Sequence, residues 1–349
     1  MIVFCIGGRP NIVKLYPFIE YFKKINFTNY KIIFTEQHYS NSMSQVFFDE
    51  FGFQPDYRLE RSGKGHAHQT GSILIELEKL YFENLSLESF TDLFVVFGDM
   101  NSSLAGTLFA QKKDFPIAHV EAGLRVGRFD FPEEINRKLI DHMSTYNFVT
   151  EESGMINLKS ETLANGHLVG NVLADSIRLH HTKWIDFNSK QYCLATFHRV
   201  ENVDNGFRSI LEILNNVADK IPVILSAHPR IKEVFMFDKR YLSKNIELVE
   251  PMSYSEFINK LCNASFVITD SGGVQCESYI LHKPCITYNY HTPHKVTTLH
   301  GNNFVTEDQK TINDLVNKFL NLNILYYKIN KLWDGHAVER IMEVLNKFL

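Results

Sequence analysis

Short apolar runs recur along the chain, and each is followed by a segment long enough for a helix. The runs fall at residues 2–6, 31–35, 93–97, 117–120, 148–150, 193–196, 223–226, 246–248, 266–269 and 285–288, and they are rich in β-branched and aromatic residues. Such runs, spaced by helix-length stretches, predict parallel sheets with helical crossovers. The strand series restarts at Cys193, after a polar and aromatic stretch holding His180, His181, Trp184 and Asn188. That places a boundary near Gly170-Asn171-Val172, with a first domain over 1–170 and a second over 171–330. The stretch from 326 to 349 is predicted helical, with Ile341, Met342, Val344, Leu345 and Leu349 as its apolar stripe. The predicted architecture is α/β: two Rossmann-like, doubly wound domains facing a cleft. Ligands of such sheets lie beyond the carboxyl ends of the strands, so those ends are the places to look for chemistry.

The 349 residues suffice for two cores. A net charge of −4 offers no basic footprint, which argues against nucleic acid or an anionic membrane as partner. No apolar run approaches the roughly 20 residues of a membrane helix, so no membrane insertion is expected. The start, Met1-Ile2-Val3-Phe4-Cys5-Ile6, lacks a basic region and reads as a core strand, not a signal peptide. Five cysteines, with no C-x-x-C pair, indicate neither a disulfide framework nor a zinc site. A reducing cytoplasm is the expected setting.

Every chemical motif falls at a predicted strand end. Asp270-Ser271-Gly272-Gly273 follows the run 266–269. Its glycines allow close backbone approach to a ligand, and the N–H groups of a helix starting there form an anion site. Glu277, one turn on, can accept hydrogen bonds from sugar hydroxyls. Phosphate and carboxylate sites together suit a nucleotide diphosphate; a ligand-free turn is the alternative. Gly7-Gly8-Arg9-Pro10 with Lys14 follows the first strand. Arg9 can grip a phosphate as a fork, and Pro10 suits a first helical turn. Gly98-Asp99-Met100-Asn101 follows 93–97, where Asp99 is either a general base or an N-cap.

His119-Val120-Glu121-Ala122-Gly123-Leu124-Arg125, followed by Phe131-Pro132-Glu133-Glu134-Ile135-Asn136-Arg137, gathers three carboxylates and two arginines. Apolar and small neighbours predict a raised pKa for Glu121, useful for acid–base work. Glu133 and Glu134 either join it or simply favour a helix dipole, Glu134 as a solvated helix start. His198-Arg199 ends the second domain's first strand, there to bind phosphate or to pack, and His228-Pro229-Arg230 repeats the theme. His66, His68, His291, His294 and His300 lack ligand spacing, so no zinc set is built.

Together these segments resemble the non-hydrolysing UDP-N-acetylglucosamine (UDP-GlcNAc) 2-epimerase family over nearly the whole chain. The resemblance is carried by Gly8-Arg9-Pro10 with Lys14, Gln37-His38, Gly98-Asp99, the Glu121 and Arg137 motifs, Gly170-Asn171-Val172, His198-Arg199 with Glu201-Asn202, and Asp270-Ser271-Gly272-Gly273 with Gln275 and Glu277. It implies a GT-B-like fold with UDP in the cleft and a C-terminal helix, 331–349, crossing back to the first domain. The implied reaction is anti elimination of UDP to 2-acetamidoglucal and re-addition to give UDP-ManNAc, for surface polysaccharide synthesis, without metal or redox cofactor. Asp99, Glu121, Glu133 and His198 are the implied catalytic residues. Arg9, Lys14, Arg137, His228, Phe257, Ser271, Gly272, Gly273 and Glu277 are implied in substrate binding. Gln45, Gln69, Arg199 and Glu201 lie where a second UDP-GlcNAc would bind as activator, and a homodimer is the family expectation.

Two departures stand out. Asn11 replaces the Glu that usually follows the Arg-Pro pair, and Asn289-Tyr290-His291-Thr292-Pro293-His294-Lys295 lacks the family's Arg and acid. They leave open a related UDP-sugar as substrate. A hydrolysing epimerase releasing ManNAc and UDP, and a nucleotide-sugar-binding protein with altered catalysis, are the further alternatives.

Overall fold

The computed structural model describes residues 1–36, 41–60, 63, 65–83, 87, 91–128, 131–180, 191–199, 202, 207–227, 242–299, 302–321 and 330–349. The chain divides into two compact units: Met1–Leu179 with Asn330–Leu349, and His180–Ile329.

Unit 1 holds strands β1 (Ile2–Ile6), β2 (Tyr30–Phe34), β3 (Tyr57–Arg58), β4 (Leu93–Phe97), β5 (Ile117–Ala122), β6 (Tyr146–Val149) and β7 (Gly166–Leu168). They form one parallel sheet in the order β3-β2-β1-β4-β5-β6-β7. Strand order reverses at β1, so the crevice between the ends of β1 and β4 is the switch point where such sheets bind ligands. β1 and β4 are buried along their whole length. On one face, Val3, Cys5, Phe94 and Val96 pack against Ile73, Leu77, Phe109 and Ile140. Elsewhere in this core, Phe4 and Phe97 meet Phe18 edge to face, at 5.6 and 5.7 Å between centroids.

Unit 2 holds β8 (Cys193–Phe197), β9 (Val223–Ala227), β10 (Ile246–Val249), β11 (Phe266–Thr269), β12 (Cys285–Thr287) and β13 (Asn303–Val305). Its parallel order, β10-β9-β8-β11-β12-β13, repeats the pattern, with the switch between β8 and β11. Phe197, Val223, Phe266, Ile268 and Ile286 pack against Leu214, Val217 and Phe319. All ten strands expected from the apolar runs are present. The additional strands, β3, β7 and β13, have two or three residues and sit at sheet edges, too short to leave a pattern.

The division of the chain differs from the boundary expected at 170. The helix Val172–His180 belongs with unit 1, because Ser176 Oγ donates to the Val13 carbonyl at 2.8 Å. Asp175 accepts the N–H groups of Ala337 and Val338 at 3.1 and 2.9 Å. Trp333 Nε1 donates to the Thr150 carbonyl, also at 2.8 Å, so Asn330–Leu349 is part of unit 1. The last helix is shorter than expected, Ala337–Val344, and a 3₁₀ turn at Asn346–Phe348 leaves Leu349 exposed instead of on the apolar stripe. None of the five cysteines is in a disulfide and all are buried, and burial pushes the Cys5 thiol up to about 12 and that of Cys262 to about 11. They act as small hydrophobes.

Candidate active site

The first cluster stands at the carboxyl ends of β1, β4 and β5. After β1, Gly7 and Gly8 lead into the helix Arg9–Ile25, with Pro10 in its first turn. Asn11 is buried; its Oδ1 accepts the Gly7 N–H at 3.0 Å and its Nδ2 donates to the Phe97 carbonyl at 3.4 Å. This departure from the family pattern therefore ties the end of β1 to the end of β4. One turn on, Lys14 forms an ion pair with Glu121.

Glu121 sits where the pairing of β5 with β6 shifts register, between Val120 and Ala122, and its φ is +79°. A bulge of this kind re-aims a side chain. The apolar setting expected for Glu121 is not what the fold supplies: bulge and helix bring it an ammonium partner. Gly98 makes room for this pair. Its φ is +60°, and a Cβ there would meet Glu121 Oε2 at 3.0 Å and Lys14 Nζ at 3.6 Å.

Asp99 follows directly. The N-cap position of the next helix, Asn101–Lys112, is Met100. Asp99 pairs with Arg137, which also bonds Glu134 at 2.9 Å. Glu134 is not a solvated helix start. It is buried, and its carboxylate accepts the N–H groups of Val126 and Gly127 at 2.9 and 3.0 Å, folding that loop onto the helix Pro132–Met143. Glu133 is exposed on the same first turn. Asn136 Nδ2 donates to the Asp99 carbonyl at 2.8 Å. The structure thus brings Lys14 to Glu121 and Arg137 to Asp99, with Gly98 between them.

The second cluster is at the ends of β8 and β11 in unit 2. Asp270 is buried and accepts the N–H groups of His198 and Arg199, at 3.1 and 3.0 Å, and Nδ2 of Asn202 at 3.0 Å. His198 Nδ1 lies 3.0 Å from the same carboxylate. Burial alone would push Asp270 up, but the bonds from His198, Asn202 and Arg199 outweigh it and hold the carboxyl below its ordinary range. Ser271 caps the helix Gly272–Ile280 through a long 3.5 Å contact from the Val274 N–H. Gly273 is the next residue in that helix, and Glu277 is buried one turn along. A Cβ at Gly272 would come within 3.2 Å of His294 Nε2, so the loop after β12 overlies the helix start. Gln275 anchors that loop, accepting from Thr292 Oγ1 at 2.8 Å and donating to Thr297 Oγ1 at 2.6 Å.

Of the remaining expected residues, Arg9, Phe257, Gln45 and Gln69 are among those described. The Arg9 guanidinium lies over the Phe47 ring, 5.9 Å from its centroid. Phe257 is half-buried in the helix Tyr254–Asn263. Gln45 bonds Asp49, Gln54 and Arg58, whereas Gln69 accepts from Asn101 at 2.8 Å, so the two have separate partners. Gln37, His38, Glu201 and His228 lie outside the described residues. Among the described residues, no group of three or more His, Cys, Asp or Glu could hold a metal, and no helix is long and apolar enough to cross a membrane. Asp141, four residues beyond Arg137, is missed by sequence reasoning; its place one turn after Arg137 on one helix is the signal that could have found it.

Known proteins match these features. The family model for UDP-N-acetylglucosamine 2-epimerase matches residues 21–346. A UDP-N-acetylglucosamine 2-epimerase of Methanocaldococcus jannaschii is 39% identical over 370 residues, 97% of each chain. The solved structure of the M. jannaschii UDP-GlcNAc 2-epimerase with UDP-GlcNAc and UDP superposes with a TM-score of 0.88, at 37% identity, over 99% of each chain. A UDP-2,3-diacetamido-2,3-dideoxy-D-glucuronate 2-epimerase of Pseudomonas aeruginosa is 37% identical over 294 residues, 81% of each chain. With its two parallel α/β units and its paired carboxylates at the strand ends, the chain belongs to the UDP-N-acetylglucosamine 2-epimerase family of isomerases, on a GT-B-like fold.

Proposed function

We propose that this isomerase interconverts UDP-GlcNAc and UDP-ManNAc. The observation that carries the reading is the pair of carboxylates at adjoining strand ends, Glu121 on Lys14 and Asp99 on Arg137. The C2–H bond of the sugar is a weak acid, and its ionisation needs a base held against it. In the reading, one carboxylate takes the C2 proton. The electron pair left behind becomes the C1=C2 double bond, and UDP departs with the pair of the C1–O bond, leaving 2-acetamidoglucal. The UDP oxygen then re-adds to C1, and a carboxylate on the other face gives C2 a proton. Asp99, Glu121 and Glu133 share these acid–base roles.

Charge grows on the departing diphosphate, so fixed cations and donors lower the barrier. His198 and Arg9 take that role. Ser271, Gly272 and Gly273 hold phosphate at the helix start, and Glu277 takes the ribose hydroxyls. Lys14, Arg137, Phe257 and His228 complete substrate binding. A second UDP-GlcNAc acts as activator through Gln45, Gln69, Arg199 and Glu201. The enzyme works as a cytoplasmic homodimer supplying surface polysaccharide synthesis.

A second reading has support of its own. The loop 289–295 carries neither the Arg nor the acid of the family pattern and lays His294 over Gly272. A relative at 37% identity is named for a different UDP-sugar. On this reading the substrate is a related 2-acetamido UDP-sugar and the chemistry at C2 is unchanged.

Proton NMR of the protein with UDP-GlcNAc in heavy water tests both. Deuterium at C2 together with a UDP-ManNAc signal is the expected result. Exchange only with UDP-2,3-diacetamido-2,3-dideoxy-D-glucuronate moves the substrate to the second reading. Free ManNAc with UDP makes the enzyme hydrolysing, and no exchange with either sugar refutes epimerisation.

A further inference from the structure

Two fully buried ionisable side chains, His119 and Asp141, take no part in the chemistry proposed above. His119 lies on β5, two residues before Glu121. Its Nδ1 is 2.6 Å from Asp141 Oδ1 and its Nε2 is 2.9 Å from the Gly98 carbonyl oxygen. A carboxylate and a carbonyl are both acceptors, so in this arrangement both ring nitrogens donate. The second oxygen of Asp141 accepts the Gly123 N–H at 3.0 Å and pairs with Arg125 at 2.7 Å. Arg125 continues the chain to Glu161, bonding it at 2.9 and 2.7 Å. Burial would push the Asp141 carboxyl up, but His119 and Arg125 hold it below its ordinary range.

The chain grips backbone at two points, the Gly98 carbonyl and the Gly123 amide. Gly98, at φ +60°, immediately precedes Asp99; Gly123, at φ +78°, follows Glu121 by two residues. Glu121 is itself left-handed at φ +79°. That conformation is disfavoured for a residue with a Cβ, and it persists only where the surroundings over-determine it. Asp141 stands eight residues after Glu133 and four after Arg137 on the helix Pro132–Met143, so one helix also carries the Asp99 partner.

We propose that Asp141 is a positioning residue for the reaction, acting through His119 on the Gly98 carbonyl and directly on the Gly123 amide to hold Asp99 and Glu121 in one relative geometry. This rests on the reading that those two carboxylates move the C2 proton.

The test is steady-state kinetics and UDP binding on Asp141→Asn, with Ile140→Ala as a control. Ile140 is fully buried on the same helix, so its truncation reports loss of stability alone. Asp141→Asn is expected to lower kcat about tenfold or more, as small misplacements of reacting groups do. Its KM for UDP-GlcNAc and its Kd for UDP stay within about twofold, because Asp141 is not itself a group that touches the substrate. Ile140→Ala, at an equal or larger fall in Tm, keeps kcat within about threefold, since packing losses away from the site act on stability. If Asp141→Asn does not yield folded protein, His119→Gln is measured against the same control with the same split expected. A kcat loss no greater than that of Ile140→Ala at matched Tm, or a loss confined to KM, overturns the proposal. Full turnover by Glu121→Gln sinks the underlying reading instead, so the two failures are distinguishable.

Discussion

The two strand-end clusters are built from different materials. In unit 1, side-chain ion pairs prevail: Lys14 with Glu121, Arg137 with Asp99 and Glu134, and Asp141 with His119 and Arg125. In unit 2, one buried carboxylate, Asp270, organises backbone N–H groups, and His198 remains 49% exposed beside it. A pre-formed set of carboxylates suits proton transfer, which needs reacting groups in fixed geometry. The start of the helix Gly272–Ile280, together with an exposed imidazole, suits an anion that must bind and leave. The lesson is that the same switch in strand order, used twice, carries two kinds of polar cluster because the loops beyond the strand ends hold different residues.

Four changes break or sharpen this contrast, from the largest effect down. Glu121→Gln is expected to cut kcat by about 10²-fold or more while UDP affinity stays within about twofold, as for loss of a general acid–base group. Steady-state kinetics with calorimetric UDP binding checks it; equal loss of both would dissolve the contrast. Gly98→Ala comes next. A left-handed alanine costs roughly 1–2 kcal/mol, and its Cβ, 3.0 Å from Glu121 Oε2, pushes the ion pair aside. Chemical denaturation should record that stability loss alongside a kcat loss of about tenfold. Unchanged kcat would mean that Gly98 serves the turn alone.

His198→Ala should raise the Kd for UDP roughly tenfold, about 1.4 kcal/mol, with Asp270 still bonded to the Arg199 amide and Asn202. A dissociation constant equal to wild type would assign the diphosphate elsewhere. The smallest effect on the chemistry concerns Asp175, which lies in unit 1 but far in sequence from its carboxylate motifs. Burial raises its pKa from 3.8 to about 6 despite the Ala337 and Val338 amides. A raised folded-state pKa means that the folded protein binds a proton that the unfolded chain has released between those values. Wild type therefore gains stability relative to Asp175→Asn as pH falls from about 6 to 4, by up to about 3 kcal/mol. Urea denaturation of both proteins at pH 7, 5.5 and 4 measures this. A difference that does not change with pH would show that Asp175 titrates normally.

Much of the molecule is legible in its residues. The ten apolar runs become strands, most of them because burial of both faces demands it, and all five cysteines are buried as expected for reduced thiols. Strand-end glycines and acids mark both clusters. Two local readings gave way for a common reason. Glu134 is not solvated and Glu121 does not lie among apolar groups alone, because each has a partner supplied by the fold. Local pattern reads neighbours within a turn or two; Lys14 and Glu121 are separated by 107 residues.

The sequence by itself determined the α/β class, the repeated strand–helix rhythm, the positions of the chemical motifs and the family. These depend on side-chain type and spacing along one stretch of chain. Only the tertiary structure decided which carboxylate pairs with which cation, that Asn11 ties β1 to β4, that Asp141 and His119 grip two left-handed glycines, and that residues 172–179 belong with unit 1. Those outcomes depend on which distant segments the sheet order brings together, and ion pairs and hydrogen bonds form only between groups within about 3 Å of each other.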